Sequence, residues 1–277
     1  MHEDYPLLRI VLLGAGRVAA HLGPALWRAG HHVAHVWSRT AASAAALAAQ
    51  IPGAAPVSGQ PLHTLPLADV YIVAVPDAAV AAVLAIAGLP AGALVVHTAG
   101  ALPLAVFEGQ PALRGGVFYP LQTFSPGRAI DWATVPLCVE AAHPTDETTL
   151  LALAHSLSKM VYVVATPQRQ ALHVAAVFAS NFTNHLLGIS HALTREARLP
   201  FDLLLPLVRE TVEKALLHPP FTVQTGPAVR HDAGTLALHR AALAAHPAWQ
   251  AVYNELTASI QAQNRALTAN NGDLPQL

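Results

Sequence analysis

The hydrophobic positions of this chain form short apolar runs that alternate with segments of helical period. The first run, residues 7–13, is almost continuously apolar and ends at Gly14, as expected for a parallel strand covered on both faces. A helical pattern over 16–29 follows, with Gly30 placed to end it in the left-handed conformation. Further strands are predicted at 32–37, 55–58, 70–75, 93–97, 116–120, 135–141 and 161–164, and further helices at 41–50, 78–87 and 146–157. This β-α-β order predicts a doubly wound parallel sheet, the Rossmann type of α/β fold.

The strand pattern stops after residue 164, and only helices are predicted beyond it. Thr166 and Pro167 suit the start of a long helix to about residue 198, because threonine can cap a helix and proline is favoured in its first turn. Shorter helices are predicted at 203–217, 236–244 and 247–267. The chain of 277 residues is therefore expected to hold a Rossmann domain over residues 1–165 and an all-α domain over residues 166–277.

Composition and charge exclude several classes of protein. Hydrophobic residues make up 53% of the chain and charged residues 11%, which is too apolar for a disordered protein. Fifteen Lys and Arg balance sixteen Asp and Glu, without a basic run that could follow a nucleic-acid backbone. Nucleic acid is therefore not an expected partner.

The sequence also bears on the compartment. The one cysteine, Cys138, cannot form an intramolecular disulfide, and the acidic start of the chain lacks a signal-peptide pattern. Residues 70–96 are apolar, but proline, glycine and aspartate divide them into pieces too short to span a membrane. We therefore expect a cytoplasmic protein that does not bind a membrane.

A glycine-rich turn lies between the first strand and the first helix. Gly14 allows a tight turn, Gly16 lets the backbone approach a pyrophosphate, and Ala19 keeps the helix close to the sheet. The free N–H groups at the start of the helix would face the anion. The pattern G-x-G-x-x-A therefore predicts a dinucleotide site. The residues predicted to contact the dinucleotide are Gly14, Ala15, Gly16, Arg17 and Val18.

Ser38, Arg39 and Thr40 follow the second strand, where an NAD-binding protein usually offers a carboxylate to the adenosine ribose. A guanidinium between two hydroxyls suits the 2′-phosphate of NADP instead, through charge-assisted hydrogen bonds. Ser38 or Thr40 can also cap the following helix, and the two roles can coexist. The predicted cofactor is therefore NADP.

Further cofactor contacts are predicted where later strands end at the same edge of the sheet. Val75 and Pro76 end the strand 70–75, and Thr98 follows the strand 93–97, at the expected position of the nicotinamide. Asp77 is interpreted as a helix cap. The sixteen histidines lack the spacing of a metal site such as H-E-x-x-H, so no metal is predicted.

Several blocks of the sequence carry a family resemblance. They are the glycine-rich turn, PLQTF at 120–124, HVAAVFASN at 173–181, TGP at 225–227, and Arg230 with Asp232. Together they resemble Rossmann-like proteins with a C-terminal helical domain of unassigned function, and the resemblance spans nearly the whole chain. Related families are the deazaflavin-dependent NADP oxidoreductases and the pyrroline-5-carboxylate reductases.

The resemblance implies a C-terminal domain like that of 6-phosphogluconate dehydrogenase, a homodimer, and a substrate site in the cleft between the domains. Some similar proteins look like ketopantoate reductases, so a small 2-oxo acid or an imine is the implied substrate. Two positions depart from the family. Tyr119 stands where a histidine usually precedes PLQTF, and His231 stands where a glycine usually separates Arg230 from Asp232. Both changes are expected to alter the substrate pocket.

Three residues are candidates for the chemistry itself. His173 and Asn181 lie eight residues apart on the long predicted helix and so share roughly one face, as proton donor and as hydrogen-bond donor to the substrate. Arg230 is a candidate to hold a substrate carboxylate. Alternatively, His173 and Asn181 are core residues satisfied by their neighbours, and Arg230 pairs with Asp232 to fix the turn.

The predicted function is the NADP(H)-dependent reduction of a small carbonyl or imine. Related hydroxyacid dehydrogenases use a lysine four residues before an asparagine on this kind of helix, but Val177 has that position here, so that scheme is not expected. The alternative is a non-catalytic NADP-binding sensor or regulatory protein. The missing lysine and the changes at Tyr119 and His231 favour that alternative.

Overall fold

The computed structural model describes residues 5–59, 65–86 and 88–272. Its chain divides into two compact units, the first ending at Phe182 and the second beginning at Thr183. Residues 166–182, assigned from the sequence to the all-α domain, are counted with the first unit because they pack on its sheet. A compact unit need not be a functional domain, so the limits 1–165 and 166–277 stay a prediction.

In the described part of the first unit, eight strands form one sheet in the order β3-β2-β1-β4-β5-β6-β7-β8. The strands are β1 (Arg9–Leu13), β2 (His32–Ser38), β3 (Ala55–Ser58), β4 (Val70–Val73), β5 (Leu94–His97), β6 (Arg114–Pro120), β7 (Leu137–Ala141) and β8 (Val161–Val163). The helices are α1 (Arg17–Arg28), α2 (Ala41–Ala48), α3 (Asp77–Ile86), α4 (Pro144–His155) and α5 (Thr166–Ala176). The doubly wound Rossmann prediction is confirmed. The helix predicted at 78–87 is α3, and Ala87 lies outside the described residues.

Both faces of the sheet are buried at its central strands β1, β4, β5 and β6, which explains why these strands are apolar without alternation. Within β1, Ile10 and Leu12 face a core shared with α1, α2 and α4. Val11 and Leu13 point the other way, into a core that includes Trp37 and residues of α3. The strands are therefore covered by helices on both sides, and the loops at their carboxyl ends are left to form sites.

The prediction of a wholly parallel sheet was wrong at β7, which runs antiparallel to β6. A parallel connection needs a crossover, usually a helix, that carries the chain back across the sheet. Residues 121–136 contain only a short 3-10 helix, Trp132–Thr134, so the chain turns back at the same edge. Strand β8 then pairs parallel to β7 after the crossover helix α4.

The helix predicted over 166–198 is helical throughout most of that range, but it is not uniform. It begins as α5, passes through a π-helical segment, Val177–Phe182, and continues as α6 (Thr183–Glu196). In a π-helical segment each backbone hydrogen bond spans five residues instead of the four of an α-helix, and such segments are common at functional sites. Asn181 lies within this segment.

The second unit is helical in its described part, as predicted. After α6 come α7 (Leu205–Leu217), α8 (Ala233–Ala242) and α9 (Pro247–Gly272), with 3-10 turns at Phe201–Leu204 and Pro220–Val223. The side chain of Asp232 caps α8, since its Oδ1 accepts from the Thr235 N–H at 3.0 Å. The Thr235 hydroxyl also donates to Asp232 Oδ2 at 2.7 Å, and this hydrogen bond, followed by the one from the Thr235 N–H, lowers the pKa of Asp232.

Candidate functional site

The glycine-rich turn connects β1 to α1 at the point where the strand order reverses between β1 and β4. Gly14 has φ +126°, and a Cβ there would lie 2.7 Å from the carbonyl carbon of Ala74, so only glycine fits. A Cβ at Gly16 would meet nothing nearer than the Ala74 oxygen at 3.8 Å. Gly16 caps α1 without a side-chain hydrogen bond, which leaves the first N–H groups of the helix available to an anion. The turn therefore fits a pyrophosphate.

On one side of this turn lies the first cavity, with a volume of about 470 Å³. Ser38 and Arg39 from the end of β2 and Val75 and Pro76 after β4 line it, so the structure brings these predicted cofactor residues together. Its other lining residues are Gly14, Ala15, Gly16, Trp37, Ser43, Ala74, Ala79, Ala82, Val83 and Ile86. An apolar wall of α3 beside a cation and hydroxyls suits an adenosine that carries a phosphate.

Of the two predicted candidates for the cap of α2, Ser38 and Thr40, the structure uses Thr40. Thr40 caps α2, accepting from the Ser43 N–H at 3.4 Å and donating to the Ser43 hydroxyl at 2.8 Å. Ser43 lines the first cavity and was missed, because it belongs to the following helix. A direct contact of Thr40 with the cofactor stays a prediction.

On the other side of the turn lies the second cavity, of about 610 Å³. Arg17 and Val18 of α1 line it together with His173 and Asn181. Two residues predicted to bind the cofactor and two predicted to be catalytic therefore lie in the same cavity wall. Its other lining residues are Tyr119, Leu121, Gln122, Thr123, Phe124, Leu172, Ala175, Ala176, Val177, Ala179 and Ser180. Arg230 belongs to the second unit, so its role in substrate binding stays a prediction.

Within the second cavity, the Tyr119 hydroxyl lies 3.1 Å from His173 Nδ1, and the two rings meet edge to face. Burial raises the pKa of Tyr119 to about 12, so its hydroxyl stays protonated at neutral pH. Gly100 packs against both rings, since a Cβ there would lie 2.7 Å from His173 Cγ and 2.8 Å from Tyr119 Cζ. The half-buried ring of His173 is therefore held in place in the cavity wall, and its role as a proton donor stays a prediction.

A buried ion pair holds α5 against the sheet. Arg169 of α5 is fully buried and pairs with Glu140 of β7, and its Nη2 donates to the Leu102 carbonyl at 2.6 Å. Glu140 also accepts from the backbone N–H of Thr166 at 2.8 Å. Sequence reasoning missed this pair. The charged residue inside the otherwise apolar strand LCVEA was the signal that could have pointed to it.

The loop after β5 runs alongside α5. Gln170 donates to the Ala101 carbonyl at 2.8 Å, and Thr166 accepts from the Leu104 N–H at 3.1 Å. Thr98 is buried at the start of this loop, where its hydroxyl donates to the Val73 carbonyl at 3.5 Å. Its contact with the nicotinamide stays a prediction, because it lines neither of the two cavities.

The described residues do not form two other kinds of site. Among residues 5–59, 65–86 and 88–272, no group of three or more His, Cys, Asp or Glu side chains is placed to hold a metal ion. No helix in that part of the chain has the length and apolar character needed to cross a membrane.

The fold and this glycine-rich turn match known proteins. The model of a Rossmann-like domain matches residues 4–121, and that of the "Domain of unknown function (DUF2520)" matches residues 135–260. A Bacteroides fragilis protein described as a "putative NADP oxidoreductase" shares 41% identity over 92% of this chain and 98% of its own, with a TM-score of 0.85. The chain belongs to this family of Rossmann-like proteins with a DUF2520 domain.

For two more distant solved structures, the likeness to this DUF2520 family shows only a shared fold. A Thermotoga maritima protein has 19% identity and a TM-score of 0.67, with 94% of this chain and 99% of its own covered. A 1-pyrroline-5-carboxylate reductase from Streptococcus pyogenes has 12% identity and a TM-score of 0.58, with 92% and 99% covered. The chain matches none of the curated protein sequences.

One departure from the DUF2520 family has a visible physical consequence. His231, where the family resemblance implies glycine, has φ +52°, in the left-handed region that favours glycine. Its neighbour Asp232 caps α8 and forms no hydrogen-bonded ion pair with Arg230 among the described contacts. Asp232 uses its carboxylate to cap α8 through Thr235, and the charge of Arg230 also helps to lower the pKa of Asp232, so a direct Arg230–Asp232 pair stays a prediction.

Proposed function

We propose that this protein is an NADP(H)-dependent oxidoreductase that reduces a small carbonyl or imine, including the 2-oxo acids of which ketopantoate is one. One observation carries the proposal. The glycine-rich turn lines one cavity with Arg39 and Ser38, and the first residues of the helix that follows it, Arg17 and Val18, line another with His173 and Asn181. The first suits the adenosine phosphate end of NADP, and the second suits the nicotinamide and a substrate. The Bacteroides fragilis relative, described as a "putative NADP oxidoreductase", supports the same reaction class.

The residues divide the work as follows. Gly14 and Gly16 expose backbone N–H groups to the pyrophosphate, Arg39 and Ser38 hold the 2′-phosphate, and Val75 and Pro76 border the adenosine. The bound nicotinamide would supply the hydride. In the second cavity, His173 donates a proton to the substrate and Asn181 orients it by hydrogen bonding.

Cofactor preference tests the first part of the proposal. NADPH and NADH are titrated into wild type and Arg39→Ala by cofactor fluorescence. We expect wild type to prefer NADPH, and Arg39→Ala to weaken NADPH about 10- to 100-fold, because charge-assisted hydrogen bonds to the 2′-phosphate are lost. Arg28→Ala is the control, since Arg28 is exposed at the end of α1 and does not line this cavity. Equal wild-type affinities for the two cofactors would refute the 2′-phosphate assignment.

Turnover tests the second part. Oxidation of NADPH is followed by absorbance with 2-oxo acids, cyclic imines and aldehydes. His173→Gln is expected to lose about 10² to 10⁴ of the rate, the usual contribution of a general acid. His155→Gln, an exposed histidine of α4, should keep it. Tight NADPH binding without turnover on any substrate would favour the sensor or regulatory alternative instead.

A homodimer formed through the helical domain is part of this proposal. Several large apolar side chains of the second unit are exposed, among them Leu207, Leu216, Leu217 and Phe221, at 63% to 81% of their full accessible area. Where such side chains form one contiguous patch, that patch usually marks an interface. Sedimentation equilibrium should give twice the chain mass of 29.0 kDa. A monomer at micromolar concentration would contradict it. The cytoplasm stays the predicted compartment.

A further inference from the structure

We infer that the second cavity takes a carbonyl substrate, such as a 2-oxo acid, rather than a protonated imine, and that Tyr119 positions His173 for the proton transfer a carbonyl requires. The inference rests on the proposed function, because it assumes that the substrate accepts a hydride in this cavity. It goes further by naming the reacting group and by giving a role to a residue that departs from the family.

The hydrogen bond between Tyr119 and His173 determines which ring nitrogen is left for the substrate. A phenol oxygen can donate to Nδ1 of a neutral imidazole or accept from Nδ1–H of an imidazolium. In either state Nδ1 is occupied, at 3.1 Å from the Tyr119 oxygen. Gly100 closes the same side of the ring by packing against Cγ and Nδ1. Nε2, on the far side of the ring, is the atom that remains to meet a substrate.

Carbonyl reduction needs a proton donor at this point. When hydride bonds to the carbonyl carbon, the electron pair of the C=O π bond moves to oxygen, and that oxygen must gain a proton. The imidazolium of His173 can donate the Nε2 proton, which leaves neutral imidazole with its Nδ1–H still hydrogen-bonded to Tyr119. The products are an alcohol and the oxidised cofactor, and water returns the proton to Nε2. Alignment by Tyr119 thus serves a proton transfer that occurs in the transition state.

A protonated imine places different demands on a site. Its nitrogen already carries the proton that the amine product keeps, so it needs no donor at that atom. It is a cation, and burying a cation is costly unless an anion faces it. None of the described residues that line the second cavity has a carboxylate, and Arg17 contributes a positive charge. This lining disfavours an iminium and attracts the carboxylate of a 2-oxo acid.

Two pairs of compounds test the preference. The wild-type protein with NADPH is assayed with 2-oxoisovalerate and with 1-pyrroline-2-carboxylate, which both carry a carboxylate beside the reacting carbon but differ in C=O against C=N. Separately, the protein with NADP is titrated by calorimetry with 2-hydroxyisovalerate and valine, which share a carbon skeleton but differ in hydroxyl against ammonium. This second measurement does not depend on turnover.

We expect the oxo acid to exceed the imine about 100-fold in kcat/KM, the scale of a general-acid contribution, and the hydroxy acid to bind more tightly than valine. Faster imine reduction, or tighter valine binding, would overturn the inference and leave the reductase proposal standing. Absence of turnover on these two compounds and on every 2-oxo acid, cyclic imine and aldehyde of the screen would overturn the proposed function. Absence of binding by both 2-hydroxyisovalerate and valine would overturn the inference.

Tyr119→Phe tests the positioning role, because it removes the hydroxyl and keeps the ring that packs beside His173. We expect kcat for the oxo acid to fall about tenfold, the effect of losing one hydrogen bond to a charged group, with KM and NADPH affinity nearly unchanged. The solvent deuterium isotope effect on kcat should rise, since proton transfer becomes slower. An unchanged isotope effect together with a lowered melting temperature would assign Tyr119 a structural role only.

Discussion

Acid should destabilise this protein through His97, which ends β5 and is fully buried. Its Nδ1 accepts from the Ala99 N–H at 3.2 Å, and its ring stacks on Phe107. Burial, assisted by the charge of Arg169, lowers its pKa from 6.5 to about 4. The unfolded chain therefore binds a proton to this residue before the folded chain does.

The sign and size follow from this difference. Above pH 6.5 the histidine is neutral in both states and pH has no effect through it. Below pH 6.5, protonation stabilises the unfolded state more than the folded state. The resulting loss of folding stability is complete near pH 4. Each pKa unit is worth about 1.4 kcal/mol, so the full loss is about 3 kcal/mol and the loss at pH 5 is about 2 kcal/mol. Burial lowers the pKa of His31 and His35 as well, which adds to the same trend.

Urea unfolding at about pH 7.5 and pH 5, followed by tryptophan fluorescence, measures the effect. Three of the four tryptophans, Trp27, Trp37 and Trp132, lie in the first unit and report on it. The variant His97→Asn keeps an acceptor for the Ala99 N–H but cannot titrate. Its loss of unfolding free energy between the two pH values should be smaller than that of wild type by about 2 kcal/mol. His155→Asn should behave as wild type. An equal pH dependence in wild type and His97→Asn would refute the reasoning.

Three further predictions concern stability and the site. Gly100→Ala should destabilise by about 1–3 kcal/mol through overpacking against His173 and should lower turnover more than NADPH affinity, measured by urea unfolding and kinetics. Arg169→Met should cost about 3–5 kcal/mol by leaving Glu140 unpaired, and the double change with Glu140→Leu should recover most of that loss; a double variant as unstable as the single one would contradict this account. His231→Gly should increase the free energy of unfolding by up to about 1 kcal/mol and so raise the melting temperature, because glycine adopts the positive φ of this position without strain. A lower melting temperature would argue against strain there.

Local chemistry made the cofactor half of the site predictable from sequence. The conformations required of Gly14 and Gly16 depend on a turn of a few residues, and the apolar run before them identifies the strand. Arg39 could be placed because a short helix joins two parallel strands in a fixed way. The structure brings these residues together in one cavity, while their contacts with NADP stay predictions.

Distant pairings made the other half harder to predict. Tyr119 and His173 are separated by 54 positions, and Arg169 and Glu140 by 29. Their contacts depend on the direction of β7, which hydrophobic period does not specify. The π-helical segment around Asn181 was missed for a related reason, since its apolar spacing differs little from that of an α-helix.

The reversed direction of β7 determines which end of the next helix meets the cofactor edge. Because β8 runs parallel to β7, it delivers the chain to the amino edge of β1–β6, and α5 must travel back across the sheet. Its contacts follow in order, from Leu104 beside Thr166 to Gly100 beside His173. An inserted residue between Thr166 and His173 would turn the imidazole by about 100° around the helix axis and shift it by about 1.5 Å. The number of residues from Thr166 to His173, eight, therefore determines where the imidazole lies beside the cavity.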